Sequence, residues 1–288
     1  MSGDVSGDVS GDVSGDVSGD VSGDVSGDVS GDGVGTRRAV VIGGGSGIGA
    51  ACAVRLAGDG YAVVVADRDL AAAESVVAGL VGDVHEAREV EVTDEASVAA
   101  LFEGLDVVHA VVNSAGTSTL GEVKDLPVAQ FRAAVDVNLV GGFLVIQQAA
   151  RHLVRGGAVV SLTSLNARQP GGGMSAYCAA KAGLAMLTEV AALELGPAGI
   201  RVNAVSPGLV VTPLTAPAMD IPGVKDDYVA NTPLGRPGTP EEVAAAVSWL
   251  CSEESAWMTG EVMDLNGGAH TQRYPDLLGH VNRMLGAS

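Results

Sequence analysis

The sequence predicts an α/β fold, with a single domain built on a doubly wound parallel sheet of about seven strands. Short runs rich in Val and Ala, such as residues 38–43 and 61–66, alternate with helical segments of ten or more residues. This alternation is typical of a parallel sheet with helices on both faces. Five residues lie at the ends of predicted strands: Gly43, Asp67, Asn113, Ser164 and Pro207. Folds of this type bind ligands beyond the carboxyl ends of their strands, so we expect these residues to share one crevice.

The elements are predicted from the period of the apolar residues and from the Gly- and Pro-rich turns between them. The predicted strands are residues 38–43, 61–66, 88–92, 106–113, 158–163, 200–205 and 261–265. The main predicted helices are residues 50–59, 94–103, 127–154, 174–195 and 241–251. The segment of about 213–237 is predicted to be a flexible lid over the substrate.

The first 35 residues are predicted to be a disordered tail, and residues 36–288 the folded domain. Residues 2–32 repeat Ser-Gly-Asp-Val, which offers no apolar face for a core and lacks the basic start of a signal peptide. A calcium-binding β-roll is disfavoured, because the nonapeptide pattern of such rolls is absent. A tail that is itself the functional, partner-binding part of the protein stays an alternative.

Composition excludes several classes of partner and site. The net charge of −19 argues against binding nucleic acid or an anionic membrane, and no uninterrupted apolar run is long enough to span a membrane. The three cysteines have no paired spacing, which favours free thiols in a reducing cytoplasm. The five histidines show no ligand spacing, so no catalytic metal is expected.

A glycine-rich turn, GGGSGIG at 43–49, lies between a predicted strand and a predicted helix. In that context the glycines allow a tight turn and close approach to a pyrophosphate at the helix N-terminus. Asp67 ends the next strand, where a carboxylate would bind the adenosine ribose and repel a 2′-phosphate. NAD is therefore predicted rather than NADP, although Arg68 adjoins the carboxylate. The alternative for Asp67 is an ordinary helix cap.

A phenol and an ammonium are predicted to share one helix face, because Tyr177 and Lys181 are four residues apart. Ser164 closes the preceding strand, from which its hydroxyl could reach the phenol. Such a group suits acid–base chemistry on an alcohol or ketone, and Lys181 is expected to lower the pKa of Tyr177. Taken alone, Ser164 would more often be only a polar strand end, and a Tyr-x-x-x-Lys pair on a helix is common in proteins without a catalytic role.

Taken in order, these motifs resemble those of the short-chain dehydrogenase/reductase family over residues 36 to about 268. The matching segments are GGGSGIG at 43–49, NSAG at 113–116, Asn138 in DVNLVGG, Ser164, YCAAK at 177–181 and VNAVSPGLVVT at 202–212. RPGTPEEVA near 236–244 and TGEVMDLNGG at 259–268 resemble the closing segments of the family. The family fold is a Rossmann-type doubly wound sheet.

The resemblance implies a role for each matching residue. Tyr177 would be the general acid/base, Ser164 would bind the substrate oxygen, Lys181 would bind the nicotinamide ribose, and Asn138 would hold a relay water. The implied cofactor-binding residues are Gly43, Ser46, Gly47, Ile48, Gly49, Asp67, Arg68, Glu91, Val92, Asn113, Ala115, Gly116, Tyr177, Lys181, Pro207, Gly208, Val210 and Thr212.

Three substitutions and a long C-terminal segment depart from the family pattern. Ile42 replaces the usual threonine before the glycine turn, which removes a hydroxyl that ties the turn down. Glu91 replaces an aspartate expected to meet adenine, and Ser114 replaces a second asparagine. The segment after Gly268 is longer than the fold needs, and it could cover either its own site or a neighbouring subunit.

We therefore expect an NAD(H)-dependent oxidoreductase that interconverts a small secondary, possibly cyclic, alcohol and its ketone. The alternatives are a 3-oxoacyl-thioester reductase acting on an acyl-carrier protein and a non-catalytic NAD-binding protein. The apolar lid favours a neutral substrate. The resemblance also implies a homotetramer built through the long helices at 127–154 and 174–195.

Overall fold

The computed structural model describes residues 37–286. The predicted disordered tail therefore lies outside the described residues. The described chain forms a seven-stranded, wholly parallel sheet in the strand order 3-2-1-4-5-6-7. The strands are β1 (Arg38–Ile42), β2 (Ala62–Asp67), β3 (Glu86–Glu89), β4 (Val108–Asn113), β5 (Leu153–Leu162), β6 (Arg201–Pro207) and β7 (Val262–Leu265). The predicted fold class is confirmed.

Helices follow the strands in alternation. They are α1 (Gly47–Gly58), α2 (Leu70–Val77), α3 (Glu95–Phe102), α4 (Val128–Val135), α5 (Gly141–His152), α6 (Ser175–Leu195), α7 (Ala216–Met219), α8 (Val224–Ala230), α9 (Pro240–Cys251) and α10 (Leu277–Leu285). Side-chain caps fix where several begin: Asp69 caps α2, and Thr239 and Glu242 form a reciprocal capping box at α9.

Two apolar clusters cover the faces of the sheet. One joins Val41 of β1 to Leu56 of α1 and Leu250 of α9, which are all fully buried. The other joins Val40 of β1 to Val145 of α5. Neighbouring residues of a strand point to opposite faces, so Val40 and Val41 belong to different clusters. Each fully buried side chain of this size contributes roughly 1.5–3 kcal/mol, so an Ala-, Val- and Leu-rich core holds the sheet rigid under the site.

Some boundaries differ from those predicted. The helix expected over 127–154 is interrupted by a π-helical turn, Asp136–Val140, between α4 and α5. Strand β5 begins at Leu153 rather than 158, because Leu153 pairs with Val108 through an irregular register. Strand β3 ends at Glu89 because its partner β2 ends at Asp67, and the Val90 amide makes a last bond to the Asp67 carbonyl.

Two stretches of helix are long and apolar enough to cross a membrane by length and composition alone, Val128–His152 and Ser175–Ala198. Each buries one face in the core, through Val145 and Leu184. Their other faces expose large apolar side chains, among them Phe143, Met186 and Leu193. Packing against the sheet accounts for the apolar residues on the buried faces of these helices. It does not account for those on the exposed faces.

The lid and the C-terminal segment pack together. The predicted lid contains α7 and α8, and α10 lies against it through Leu277, which clusters with Met174 and Val224. Asp276 caps α10 by accepting the Gly279 amide. The long C-terminal segment, left open by the sequence, thus covers the site of its own chain.

Candidate active site

The residues predicted to converge lie along one edge of the sheet. Gly43 follows β1, Asp67 ends β2 and Asn113 ends β4. Ser164 lies two residues beyond β5, and Pro207 ends β6. Because every strand pair is parallel, all five positions are at the carboxyl edge of the sheet.

Ser164 and Tyr177 meet across the turn that joins β5 to α6. Ser164 begins a short 3-10 turn, and its Oγ accepts the Asn166 amide at 3.2 Å. Tyr177 lies in the first turn of α6 and lines the same cavity as Ser164, whose side chain is close enough to act on the pKa of the phenol. With the Asn166 amide already bonded to Ser164 Oγ, the serine proton remains available for an oxygen in the crevice. The two hydroxyls therefore form a paired donor and acceptor site.

Lys181 lies one helical turn beyond Tyr177. Its Nζ is 5.8 Å from the centroid of the Tyr177 ring and donates to the Leu162 carbonyl at 2.7 Å. The side chain is 3% exposed, and burial lowers the pKa of Lys181 to about 8. The ammonium is thus still charged at neutral pH, although only narrowly so.

The pKa of Tyr177 moves opposite to our expectation. Lys181 was expected to lower it, but burial raises it above its ordinary value, and the Ser164 hydrogen bond opposes that rise without cancelling it. The physical reason is that burial disfavours the charged phenolate, while the Lys181 ammonium is engaged by the Leu162 carbonyl. At neutral pH the phenol is therefore protonated.

Asn138 sits in the π-helical turn, a local geometry frequent at functional sites. Its Nδ2 donates to the carbonyls of Thr117 and Ala134 at 2.9 and 2.8 Å, so the amide is fixed. A Cβ atom on Gly116 would lie 3.1 Å from Asn138 Oδ1 and 3.6 Å from Lys181 Nζ. Glycine at 116 thus keeps the space between the amide and the ammonium open.

The glycine turn requires glycine for two reasons. Gly43 has φ of +71°, and a Cβ there would fall 2.6 Å from the Ala115 nitrogen. A Cβ on Gly49 would fall 2.0 Å from the Gly43 carbonyl oxygen. The turn therefore lies flat against the segment after β4, as close backbone approach requires.

The missing threonine at position 42 is compensated by backbone bonds. Ile42 is fully buried at the end of β1. The Gly44 amide donates to the Ala66 carbonyl at 3.0 Å, and the Ser114 amide donates to the Ile42 carbonyl at 2.8 Å. These bonds hold the turn between β2 and β4 without the hydroxyl.

Asp67 faces the glycine turn. Its Oδ2 accepts the Gly45 amide at 2.9 Å, and its Oδ1 accepts the Asp69 amide at 3.1 Å. The cap of α2 is Asp69, whose Oδ1 accepts the Ala72 amide. Asp67 is thus not the helix cap that the sequence left as an alternative. The neighbouring Arg68 is exposed.

Two of the predicted cofactor residues are otherwise engaged. The Glu91 carboxylate is exposed and accepts the backbone amide and the hydroxyl of Thr93, at 3.0 and 2.8 Å. Val92 is buried against Gly141 of α5. Contact of either with adenine stays a prediction.

The loop after β6 approaches the glycine turn from the opposite side. A Cβ on Gly47 would lie 3.2 Å from Thr212 Cβ, and the Thr212 amide is tied to Thr215 Oγ1 at 2.9 Å. Gly208 packs on the backbone of Asn266, and Val210 is buried beside Gly238. The structure thus brings the predicted cofactor-binding residues of 207–212 next to the glycine turn that is predicted to bind the pyrophosphate.

A cavity of about 140 Å³ adjoins Ser164 and Tyr177. Its lining includes lid residues such as Leu214 and Met219 and C-terminal residues such as Tyr274 and Leu277. The sequence left open whether the C-terminal segment covers the site and named none of its lining residues, although apolar residues at helical spacing behind a capping aspartate were a usable signal. Among residues 37–286, no three His, Cys, Asp or Glu side chains are grouped to hold a metal ion.

The residues present fit a dinucleotide. Ser46 precedes α1 in an extended conformation and makes no side-chain bond to the helix, so the first amides of α1 are left for an anion. Gly43, Gly47 and Gly49 keep the turn thin, and Asp67 offers a carboxylate beside it. The donors suit a pyrophosphate, and the acceptor suits a ribose diol.

Comparison with known proteins agrees with this geometry. Residues 43–270 match a family model described as enoyl-(acyl carrier protein) reductase. The chain is similar to (3R)-3-hydroxyacyl-CoA dehydrogenase of Rattus norvegicus, with 38% identity over 247 residues covering 80% of this chain and 95% of that protein. It is also similar to cis-4-hydroxycyclohexanecarboxylate dehydrogenase of Sinomonas cyclohexanicum, with 39% identity over 244 residues, 81% of this chain and 96% of that protein.

Among solved structures, a short-chain type dehydrogenase/reductase from Mycobacterium ulcerans superposes with a TM-score of 0.82 at 31% identity, covering 87% of this chain and 95% of that one. The fold, the crevice and these relatives define an oxidoreductase that acts on CH–OH groups with a nicotinamide cofactor. The chain belongs to the short-chain dehydrogenase/reductase family.

Proposed function

We propose that the protein is an NAD(H)-dependent dehydrogenase that interconverts a small, uncharged secondary alcohol, cyclic alcohols included, and its ketone. The observation that carries this is the meeting of Ser164 and Tyr177 at a small cavity with Lys181 one turn behind. An apolar cavity of about 150 Å³ accepts a benzene ring, so a cavity of about 140 Å³ suits a six-membered ring.

In the proposed mechanism, Ser164 donates a hydrogen bond to the substrate oxygen and Tyr177 moves its proton. During ketone reduction the phenol of Tyr177 gives the proton to the developing alkoxide, and during oxidation the phenolate takes it back. The bound nicotinamide would accept or supply the hydride. Burial holds Tyr177 protonated at neutral pH, which prepares the chain for the reductive direction and makes oxidation depend on higher pH.

Lys181 and Asn138 would return the proton to solvent. The Lys181 ammonium lies beside Tyr177 and can bond a ribose hydroxyl. The gap that Gly116 keeps open has room for a water that links the ammonium to Asn138 Oδ1. Both ends of that gap are polar, as a bridging water requires.

The cytoplasm is proposed as the location of the protein. Its three free cysteines, which are buried or half-buried, fit that reducing compartment.

A second candidate, a 3-hydroxyacyl-thioester dehydrogenase, is favoured by the similarity to the rat enzyme. The small cavity and its cover of C-terminal residues weigh against it, because a thioester carrier needs an open channel to the reacting carbon. The acidic charge of the chain also disfavours an acidic carrier protein.

Replacing Asp67 by Asn tests the choice of cofactor. We expect the wild type to bind NADH at least about tenfold more tightly than NADPH, since a carboxylate repels a 2′-phosphate. Asp67→Asn removes the charge and keeps one oxygen for the Gly45 amide, although the bond from the Asp69 amide is lost, so the preference should shrink about tenfold. Titration of nicotinamide fluorescence with both cofactors measures this.

Asp69→Asn is the matched control, because Asp69 lies two residues away and caps α2 instead of facing the turn. It should leave the cofactor preference as it is. A wild-type preference for NADPH would contradict the proposal and place the 3-oxoacyl-thioester reaction first.

We also propose a homo-oligomer, a tetramer by family resemblance, formed through α4, α5 and α6. Met186 and Leu193 on α6 are 57% and 81% exposed, and Phe143 on α5 is 45% exposed. An apolar face of this kind on two adjacent helices is typical of a surface covered by another copy.

Light scattering behind size exclusion should give the mass of four chains, and Leu193→Glu should reduce it to that of a smaller species. Trp257→Glu is the control, because Trp257 is fully exposed but lies outside these helices. A monomeric wild type would contradict the proposal.

A further inference from the structure

Two tyrosines form one wall of the cavity. Tyr228 comes from α8 of the lid and Tyr274 from the C-terminal segment. Their rings meet edge to face with centroids 5.8 Å apart, and their hydroxyl oxygens are 2.7 Å apart. Both belong to the apolar cluster that includes Tyr177, so they face the same space as the reacting groups.

The hydrogen bonds around these tyrosines have a defined direction. Asn166 Nδ2 donates to the Gln169 carbonyl at 3.1 Å, which leaves Asn166 Oδ1 as an acceptor. The Tyr274 hydroxyl donates to that oxygen at 3.1 Å or to Met174 Sδ at 3.3 Å. Donation to Asn166 Oδ1 satisfies a buried oxygen to which no other group among residues 37–286 donates, and this leaves Tyr228 as the donor in the bond between the two hydroxyls.

The Tyr228 hydroxyl oxygen therefore faces the cavity with its proton already donated to Tyr274. Such an oxygen accepts a hydrogen bond and does not donate one, unless the bond to Tyr274 is broken. A substrate hydroxyl can donate to the Tyr228 oxygen. A carboxylate or carbonyl oxygen would instead place a second acceptor against it, with no proton between the two.

The cation in the cavity lining does not change this preference. Arg273 lines the cavity, but its guanidinium is paired with the Asp227 carboxylate. Asp227 also accepts the Asp276 amide at 2.8 Å and lies 3.4 Å from His280 Nε2. With its charge matched by Asp227, Arg273 offers little attraction to a second carboxylate.

We propose that Tyr228 is a specificity-determining residue that accepts a hydrogen bond from a second hydroxyl of the substrate. Tyr274 and Asn166 are positioning residues that set the direction of its proton. The inference rests on the proposed function, and it narrows the substrate class to neutral diols and hydroxy-substituted cyclic alcohols.

The test compares three alcohols that share one ring: cyclohexane-1,4-diol, cyclohexanol and 4-hydroxycyclohexanecarboxylate. In the wild type, kcat/KM for oxidation of the diol should exceed that for cyclohexanol about tenfold, which is the discrimination one hydrogen bond supplies. Tyr228→Phe should bring that ratio to about one.

Tyr274→Phe gives an independent and opposite result. It removes the acceptor for the Tyr228 proton, which then turns toward the cavity and donates. The ratio of kcat/KM for 4-hydroxycyclohexanecarboxylate to that for the diol should rise about tenfold over the wild-type ratio. Tyr61→Phe is the matched control, because Tyr61 is buried elsewhere and bonds the Cys251 carbonyl. It should leave both ratios as they are.

The outcomes separate this inference from the proposed function. If the wild type oxidises cyclohexanol as well as the diol, or prefers the carboxylate, the role of Tyr228 is refuted while the dehydrogenase function stands. A Tyr228→Phe ratio equal to that of the wild type refutes it too. If the wild type oxidises none of the three alcohols with either cofactor, both proposals fall.

Discussion

Tyr177→Phe is expected to lower kcat/KM for a secondary alcohol about 10³-fold while NADH binding stays close to that of the wild type. The reason is that the variant removes only the hydroxyl that gives and takes the proton, and acid–base catalysis is worth about 10²–10⁴-fold. The ring still packs in the cluster beside Tyr228. Initial rates in both directions, with cofactor binding measured separately, test the prediction.

The pH dependence of the residual rate strengthens that test. Burial raises the pKa of Tyr177, so the phenolate fraction grows with pH throughout the neutral range. Oxidation by the wild type should therefore become faster from about pH 6 to about pH 8, and the residual rate of the variant should not. A Tyr177→Phe enzyme with wild-type rates would show that the phenol is not the acid–base group.

Most of the fold was predictable because its signals are local. Strands such as Arg38–Ile42 are continuous apolar runs, and the glycine turn after β1 has a sterically required composition. Boundaries failed where pairing decided them, as at β5, whose early start depends on Leu153 meeting Val108. No property of residues 153–157 alone announces that pairing.

The candidate site divides in the same way. Residues at strand ends, such as Asp67 and Ser164, could be placed from the sequence because parallel strands put their carboxyl ends together. Tyr274 could not, since its contact with Asn166 spans 108 residues and depends on how the C-terminal segment returns over the lid. The raised pKa of Tyr177 was also unpredictable, because burial depends on the whole surrounding structure.

Lys181→Met is expected to abolish most activity and to change how stability depends on pH. The folded chain releases the Lys181 proton at a pKa of about 8, whereas an unfolded lysine holds it to about 10.5. Between these values the unfolded state binds more protons, so the free energy of unfolding of the wild type increases as pH rises. The gain from this group is about 1 kcal/mol between pH 8 and pH 9, and the variant lacks it.

The difference in free energy of unfolding between the wild type and Lys181→Met separates the effect of Lys181 from that of groups whose effect on stability has the opposite sign. Burial raises the pKa of Cys251 from 9.0 to about 12, so this thiol makes the folded state lose stability as pH rises above about 9 in both proteins. Lys225→Met is the control, because Lys225 is exposed on the lid. Denaturant unfolding at several pH values gives the free energies. Parallel profiles for the wild type and Lys181→Met would show that Lys181 keeps an ordinary pKa. Burial would then not lower the pKa of its ammonium toward neutral pH.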